Sequence, residues 1–351
     1  MGPPSAARLF DRTPRGIFSA MKMLLGFVLL TLLLTPLASA DSKQETAERL
    51  LQRAAQASGP RAVVKGPYLI EYKLTFYRGQ SERVQGTYSK AWISRHSWRS
   101  EVSIPGFTAT EVSDGPSRWV VRKPHFFEPE MVSQLLADLD FVPDVPLNSN
   151  EKISKIREDS HSSPRLQCIE INRQNAPPSM KERELCFDEA SGALVRITDG
   201  GQRTEFSDFD TRNGVLIARK AQQFSGKNLV AEAELTTLGP QAATAPGLLD
   251  HPEGARRFSN CESHIGEGRL VERTAPVYPL AARRTRQTGT VEIYALIDID
   301  GTLKDLEIVK SASKLLDDAA LEAVRNWRYQ PYICGGNPVE VETMVSVNFR
   351  L

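Results

Sequence analysis

Thr290 to Lys310 reads TVEIYALIDIDGTLKDLEIVK, two alternating runs about a turn. Val291, Ile293, Ala295, Ile297 and Ile299 fall on one side and Glu292, Tyr294 and Asp298 on the other, the period of a half-buried strand. Asp300-Gly301 is a turn pair. Leu306, Ile308 and Val309 give the return run a strand texture, so an antiparallel hairpin is expected. Leu316, Ala320, Ala323, Val324 and Trp327 then recur at helical spacing. Asp317 and Asp318 sit in the first turn, where the helix dipole favours carboxylates, and Pro331 stops the helix. Past Gly335, Gly336 and Pro338, the run from Val339 to Phe349 alternates Val339, Val341, Thr343, Val345, Val347 and Phe349 against polar neighbours. This predicts a last strand with one buried face.

The order of residues around this hairpin is specific. Pro276-x-Tyr278-Pro279, Gly289-x-Val291, Asp300-Gly301, Leu316-Asp317, Ala319-Ala320, Trp327-x-Tyr329-x-Pro331, Gly336-x-Pro338-Val339 and Val347-x-Phe349 follow one another in a pattern that resembles the TonB C-terminal domain, from about Gly268 to the end. The resemblance implies two helices on a three-stranded antiparallel sheet. It also implies a periplasmic domain that pairs with an extended segment of an outer-membrane receptor, in energy-coupled transmembrane transport. The physics of that pairing is strand addition, with backbone bonds giving affinity and side chains selectivity. The edge then falls on the last strand, at Val339, Val341, Thr343, Val345, Ser346, Val347 and Phe349.

Working backward, the 239–260 stretch is rich in Pro, Ala and Gly without periodicity and is expected to be a linker. It separates the 261–351 domain from a β-rich 41–238 domain. Ala47, Leu50, Leu51 and Ala54 predict a leading helix, and Tyr68, Ile70, Tyr72, Leu74 and Phe76 the first strand of a meander. A helix over 128–139 interrupts it. Seven further strand runs between 153 and 237, spaced by glycines, then point to one long curved antiparallel sheet. This α+β texture, with Trp92, Trp98-Arg99, Asp114-Gly115, Trp119 and Phe187-Asp188, resembles the half-barrel of the LolA and LolB lipoprotein carriers, which implies an apolar ligand. Trp92, Trp98 and Trp119 either line a concave pocket or pack in the core.

At the N-terminus, Lys22 precedes an apolar run from Met23 to Leu34, and Ala38-Ser39-Ala40 stands before Asp41. Residues 1–40 therefore read as leader and cleavable secretory signal, placing the protein in the periplasm; an uncleaved inner-membrane anchor is the alternative. The four cysteines lie beyond this segment and fit an oxidising compartment. Cys168 and Cys186 occupy adjacent alternating runs and are expected to pair across strands, leaving Cys261 with Cys334. No CxxC pair and no neighbouring histidine supports a metal.

With 44 basic and 43 acidic residues, net +1, no field favours nucleic acid. No nucleophile motif, zinc-binding helix, phosphate loop or dinucleotide fingerprint is present, so neither catalytic residues nor a cofactor are expected. Three functions remain: a TonB-type adaptor or transducer binding an envelope partner, a periplasmic lipid or lipoprotein carrier that docks through its last domain, and a purely structural envelope protein.

Overall fold

The computed structural model describes residues 38–79, 82–124, 130–142, 147, 151–160, 162–174, 181–261 and 269–351. The leader and signal, apart from Ala38 to Ala40, lie outside them. Ala47, Leu51 and Ala54 recur one helical turn apart on α1 (Ala38–Ala57), and all three are buried. A single-turn α2 (Pro60–Val63) leads into β1 (Tyr68–Arg78), where Tyr68, Ile70, Tyr72, Leu74 and Phe76 are buried in strict alternation.

The chain then runs outward through β2 (Glu82–Ser94), β3 (Ser97–Ile104), β4 (Phe107–Asp114) and β5 (Ser117–Lys123), each antiparallel to the last. Strand β4 is absent from the sequence reading. Its alternation fails at Val112 and Ser113, consecutive residues that are both buried. Helix α3 (Glu130–Leu139) carries the chain across, and β6 (Glu151–Asp159) begins the return. The return runs through β7 (Leu166–Arg173), β8 (Glu182–Asp188), β9 (Leu194–Asp199), β10 (Gln202–Arg212), β11 (Val215–Ser225) and β12 (Asn228–Pro240). β12 closes against β1 from Tyr68↔Pro240 to Phe76↔Ala231, so two meanders become one thirteen-stranded antiparallel sheet. The expectation of a single long up-and-down sheet holds. Helix α3 buries Val132, Leu135, Leu136 and Leu139 against β1 to β4, while α1 packs on Ile169, Ile171, Leu185, Phe187 and Ile197.

The thirteenth strand is β13 (Arg256–Ser259), which pairs with β5. It comes from the stretch expected to be a linker. Arg256, Arg257 and Ser259 flank a single core residue, Phe258, too little for a period to show.

Residues 269–351 form a second, smaller unit. β14 (Leu270–Glu272) and the five-residue α4 (Leu280–Arg284) lead into the hairpin β15 (Gly289–Ile297) and β16 (Leu303–Lys310). α5 (Lys314–Arg325), β17 (Arg328–Tyr329), β18 (Tyr332–Cys334), β19 (Asn337–Val339) and β20 (Val341–Phe349) follow. The sheet order is β16-β15-β20, with Ala282, Leu316, Ala320, Val324 and Trp327 packed on its inner face. The α+β architecture of two helices on three antiparallel strands is as expected. Val339 is the exception: it belongs to β19, which folds back on β18 through the Gly335-Gly336 turn and is separated from the last strand by a break at Glu340.

Both expected cysteine pairings are present. Cys168 and Cys186 face each other across β7 and β8, and Cys261 joins Cys334 at the end of β18.

Candidate functional site

The small unit is held by contacts that explain the spacing of its motif residues. Tyr278 sets its ring edge-on to Phe349 at 5.5 Å, and its hydroxyl donates to the Gln287 carbonyl. Pro279, extended at φ −61°, is the N-cap of α4 after Pro276. Asp300 Oδ1 accepts from the Thr302 amide at 2.8 Å, closing the turn chemically, and Gly301 sits at φ +82°. A Cβ on Gly301 would stand 1.8 Å from the Tyr329 carbonyl oxygen, while the Tyr329 amide donates to the Gly301 carbonyl at 2.9 Å. The turn and the segment after α5 are therefore one structure. Trp327 is buried past the end of α5, its Nε1 donating to the Thr274 carbonyl at 2.8 Å. Pro331 precedes the β18–β19 ribbon, Gly336, at φ +86°, makes its turn with Gly335, and Pro338 lies within β19 opposite Ile333. Asp317 accepts from the Ala312 amide and the Ser311 hydroxyl and so anchors the start of α5.

Strand β20 pairs on one side with β15, from Gly289↔Phe349 to Ile297↔Val341, and among the described residues no strand lies on its other side. Val345, Val347 and Phe349 are buried inward, and Val341 and Thr343, of the same parity, are part-buried. Most of the side chains singled out from the sequence thus belong to the core. The outward face carries Glu342, Met344, Ser346 and Asn348, of which only Ser346 was singled out. The alternation of β20 held that information, since the polar parity is the accessible one.

The edges differ in charge. β6 carries six charged residues in nine and β16 four in eight, the usual protection against unwanted pairing. β20 carries one in nine, Glu342. That residue is spoken for: Arg122 Nη1 donates to its two carboxylate oxygens at 2.9 and 3.0 Å, and the Tyr294 hydroxyl donates to it at 2.7 Å. Arg122 Nη2 reaches Glu111 at 3.1 Å. The two carboxylates hold the Arg122 guanidinium charged against its burial. Burial and the neighbouring Glu342 carboxylate push the Tyr294 hydroxyl upward.

The large sheet carries two cavities of interest. One of about 70 Å³ lies between α1–α2, α3 and the sheet, lined by Tyr72, Leu139, Phe141, Phe206 and Phe209 with Asp138 on its wall. Burial pushes the Asp138 carboxyl up to about 6, against hydrogen bonds from Thr204 and Gln134. The other, about 500 Å³, opens where β5, α3 and β20 meet, with Trp98, Arg118, Asp140 and Glu342 among its walls. The tryptophans do not share a pocket. Trp92 stacks on Tyr68, Trp98 lies under Lys90, and Trp119 stacks on His251.

Residues 274–351 match the family described as Gram-negative bacterial TonB protein C-terminal. Protein TonB of Pseudomonas aeruginosa is 32% identical over 113 residues, 32% of either chain, and that of Vibrio cholerae 34% over 77 residues, 22% of this chain and 32% of its own. The chain spans about a third of the length of these curated relatives. Among solved structures, the solution structure of the Pseudomonas aeruginosa TonB C-terminal domain aligns at 26% identity and TM-score 0.23, covering 25% of this chain and 96% of that one. A LolA superfamily protein of Nitrosomonas europaea aligns at 11% identity and TM-score 0.42, covering 58% of this chain and 97% of that one. The last stretch of this chain, residues 274–351, is a TonB C-terminal domain.

Proposed function

We propose that this is a cell-envelope binding protein whose C-terminal domain captures an extended segment of an outer-membrane receptor or another envelope protein by adding it to β20. The reading is carried by the difference between edges: at similar lengths, β20 alone among β6, β16 and β20 is rich in valine and nearly uncharged. An unpaired edge presents backbone donors and acceptors that a partner strand satisfies, and natural sheets blunt such edges with charge unless they are used. Met344, Ser346 and Asn348 on the outward face would then select among partner side chains. In this reading the domains are divided after β13, the protein works in the periplasm, and its task is binding rather than catalysis.

Amide hydrogen exchange tests this with short synthetic peptides from the periplasmic segments of outer-membrane receptors. In a strand, amides point alternately to either side, so a strand-adding peptide should protect every second amide of Val341 to Phe349 and leave the others, already bonded to β15, unchanged. Protection elsewhere with none in β20 would sink the reading.

A second reading, a carrier of an apolar ligand, is favoured by the aromatic cavity beside Asp138. At about 70 Å³ that cavity is far below the roughly 300–1,000 Å³ of ordinary ligand pockets, so a lipid-sized ligand enters only if α1 or α3 moves.

A further inference from the structure

A strand on the face of a free three-stranded sheet has one covered side, and the sequence pattern of β15 promises that. The structure covers both. Val291, Ile293 and Ala295 are buried inward against α5, and Tyr294 and Leu296 are buried outward as well, at 1% and 3% exposed. What covers the outer side is the edge of the large sheet: Leu296 packs with Val120 of β5 and Phe258 of β13, and Arg256 pairs with Asp305 at 2.5 Å. The centre of this contact is the Arg122 guanidinium, held between Glu111 and Glu342, with both Arg122 and Glu342 side chains under a tenth exposed. Glu342 is the second residue of β20.

The cover is uneven along the strand. Past Glu342 the outward positions Met344, Ser346 and Asn348 are exposed. A peptide lying along β20 places alternate side chains on that same outward face. Beside Met344 to Asn348 they meet solvent, whereas beside Glu342 they meet the walls of the cleft formed by β5 and α3, among them Trp98, Arg118 and Asp140.

Resting on the strand-addition reading, we propose that the large sheet regulates β20. Docked through Arg122 and Glu342, it leaves only the Met344–Phe349 end of the edge open; undocked, it releases the whole of Val341–Phe349 to a partner strand. A buried ion pair of this kind suits a two-state contact. Removing one partner strands the other charge without solvent, so the interface tends to be made or broken as a unit. Coupling is reciprocal: a partner that pairs as far as Val341 must weaken the docking, and anything that holds the docking must weaken the partner.

The test uses the full chain, as wild type and as Arg122→Ala, Glu342→Gln and Arg122→Lys, with amide exchange and peptide affinity as separate readouts. Variants are compared only where the core amides of β1 and α5 keep their wild-type exchange. Without peptide, Arg122→Ala and Glu342→Gln should exchange faster at Val341 to Thr343 and at Tyr294, and should bind a receptor peptide about tenfold tighter, within the range of ordinary allosteric couplings. Arg122→Lys keeps the charge but loses the two-pronged bond and should fall between. Wild-type exchange at Val341 to Thr343 in a folded Arg122→Ala protein overturns the proposal, as does unchanged or weaker peptide affinity. If no form protects β20 with any peptide, strand addition fails, and the exchange arm still decides whether the clamp controls the edge.

Discussion

At the residue scale the decisive side chains are those whose environments leave no slack. Trp327 fills the space between α5 and the inner face of the small sheet and satisfies its indole N–H on Thr274. Trp327→Ala should cost about 3–5 kcal/mol, the range for emptying a buried aromatic site, read as a lower denaturation midpoint of the small unit; a loss under about 1 kcal/mol would mean that the site collapses around the change. Asp138 behaves differently because its carboxyl titrates near 6 in the fold and near 3.8 in the unfolded chain. The folded state binds the proton more tightly, so the stabilisation is complete below about pH 4 and is lost as pH rises through about 6. Thr204, Gln134 and Arg183 favour the charged form and Asp199 opposes it, but burial outweighs them. Asp138→Asn should flatten the pH dependence of the melting temperature between pH 4 and 7 and raise stability at neutral pH by roughly 3 kcal/mol at most, from the size of the shift. A variant that retains the wild-type slope would remove Asp138 as its source. Nothing in the sequence marks this residue, since an acidic position on an amphipathic helix reads as solvated until α3 is seated on the sheet.

At the scale of elements, what was legible followed from period and what was hidden followed from docking. β1, α1 and α5 each bury one clean face, and the inward parity of β15 keeps its apolar alternation, so alternation or helical spacing found them. The Asp300-Gly301 turn was readable because no side chain fits at Gly301 against Tyr329. β4 and β13 were missed because one breaks its alternation at Val112-Ser113 and the other is four residues long. The outward burial of Tyr294 and Leu296 was hidden for a different reason: it depends on β5 and β13, more than thirty residues away in sequence. Of the residues expected to form the edge, those from Val341 to Phe349 lie on β20, but all except Ser346 share the apolar parity that builds the core, and the exposed Met344 and Asn348 were passed over.

For the whole molecule, the two disulfides act on different units. Cys168–Cys186 closes a span of 18 residues inside the large sheet, whereas Cys261–Cys334 closes 73 residues and ties the end of β13 to the β18–β19 ribbon of the small domain. In the chain-entropy account the short loop contributes about 3 kcal/mol and the long one about 4.5 kcal/mol. Their consequences for cooperativity should differ more than these figures. The long bridge, the Arg122–Glu342 pair and the Val120–Phe258–Leu296 cluster all join the same two bodies, so losing the bridge leaves a small contact to hold them together. The Cys261→Ser, Cys334→Ser double variant should therefore separate thermal unfolding into two calorimetric transitions, with the small domain melting first and Tyr294 gaining exchange. The Cys168→Ser, Cys186→Ser variant keeps the long bridge and should therefore lower the melting temperature without splitting the transition. A single unchanged transition in the first variant would show that the apolar cluster and the ion pair suffice to unite the two bodies, and the bridge would then be a local staple.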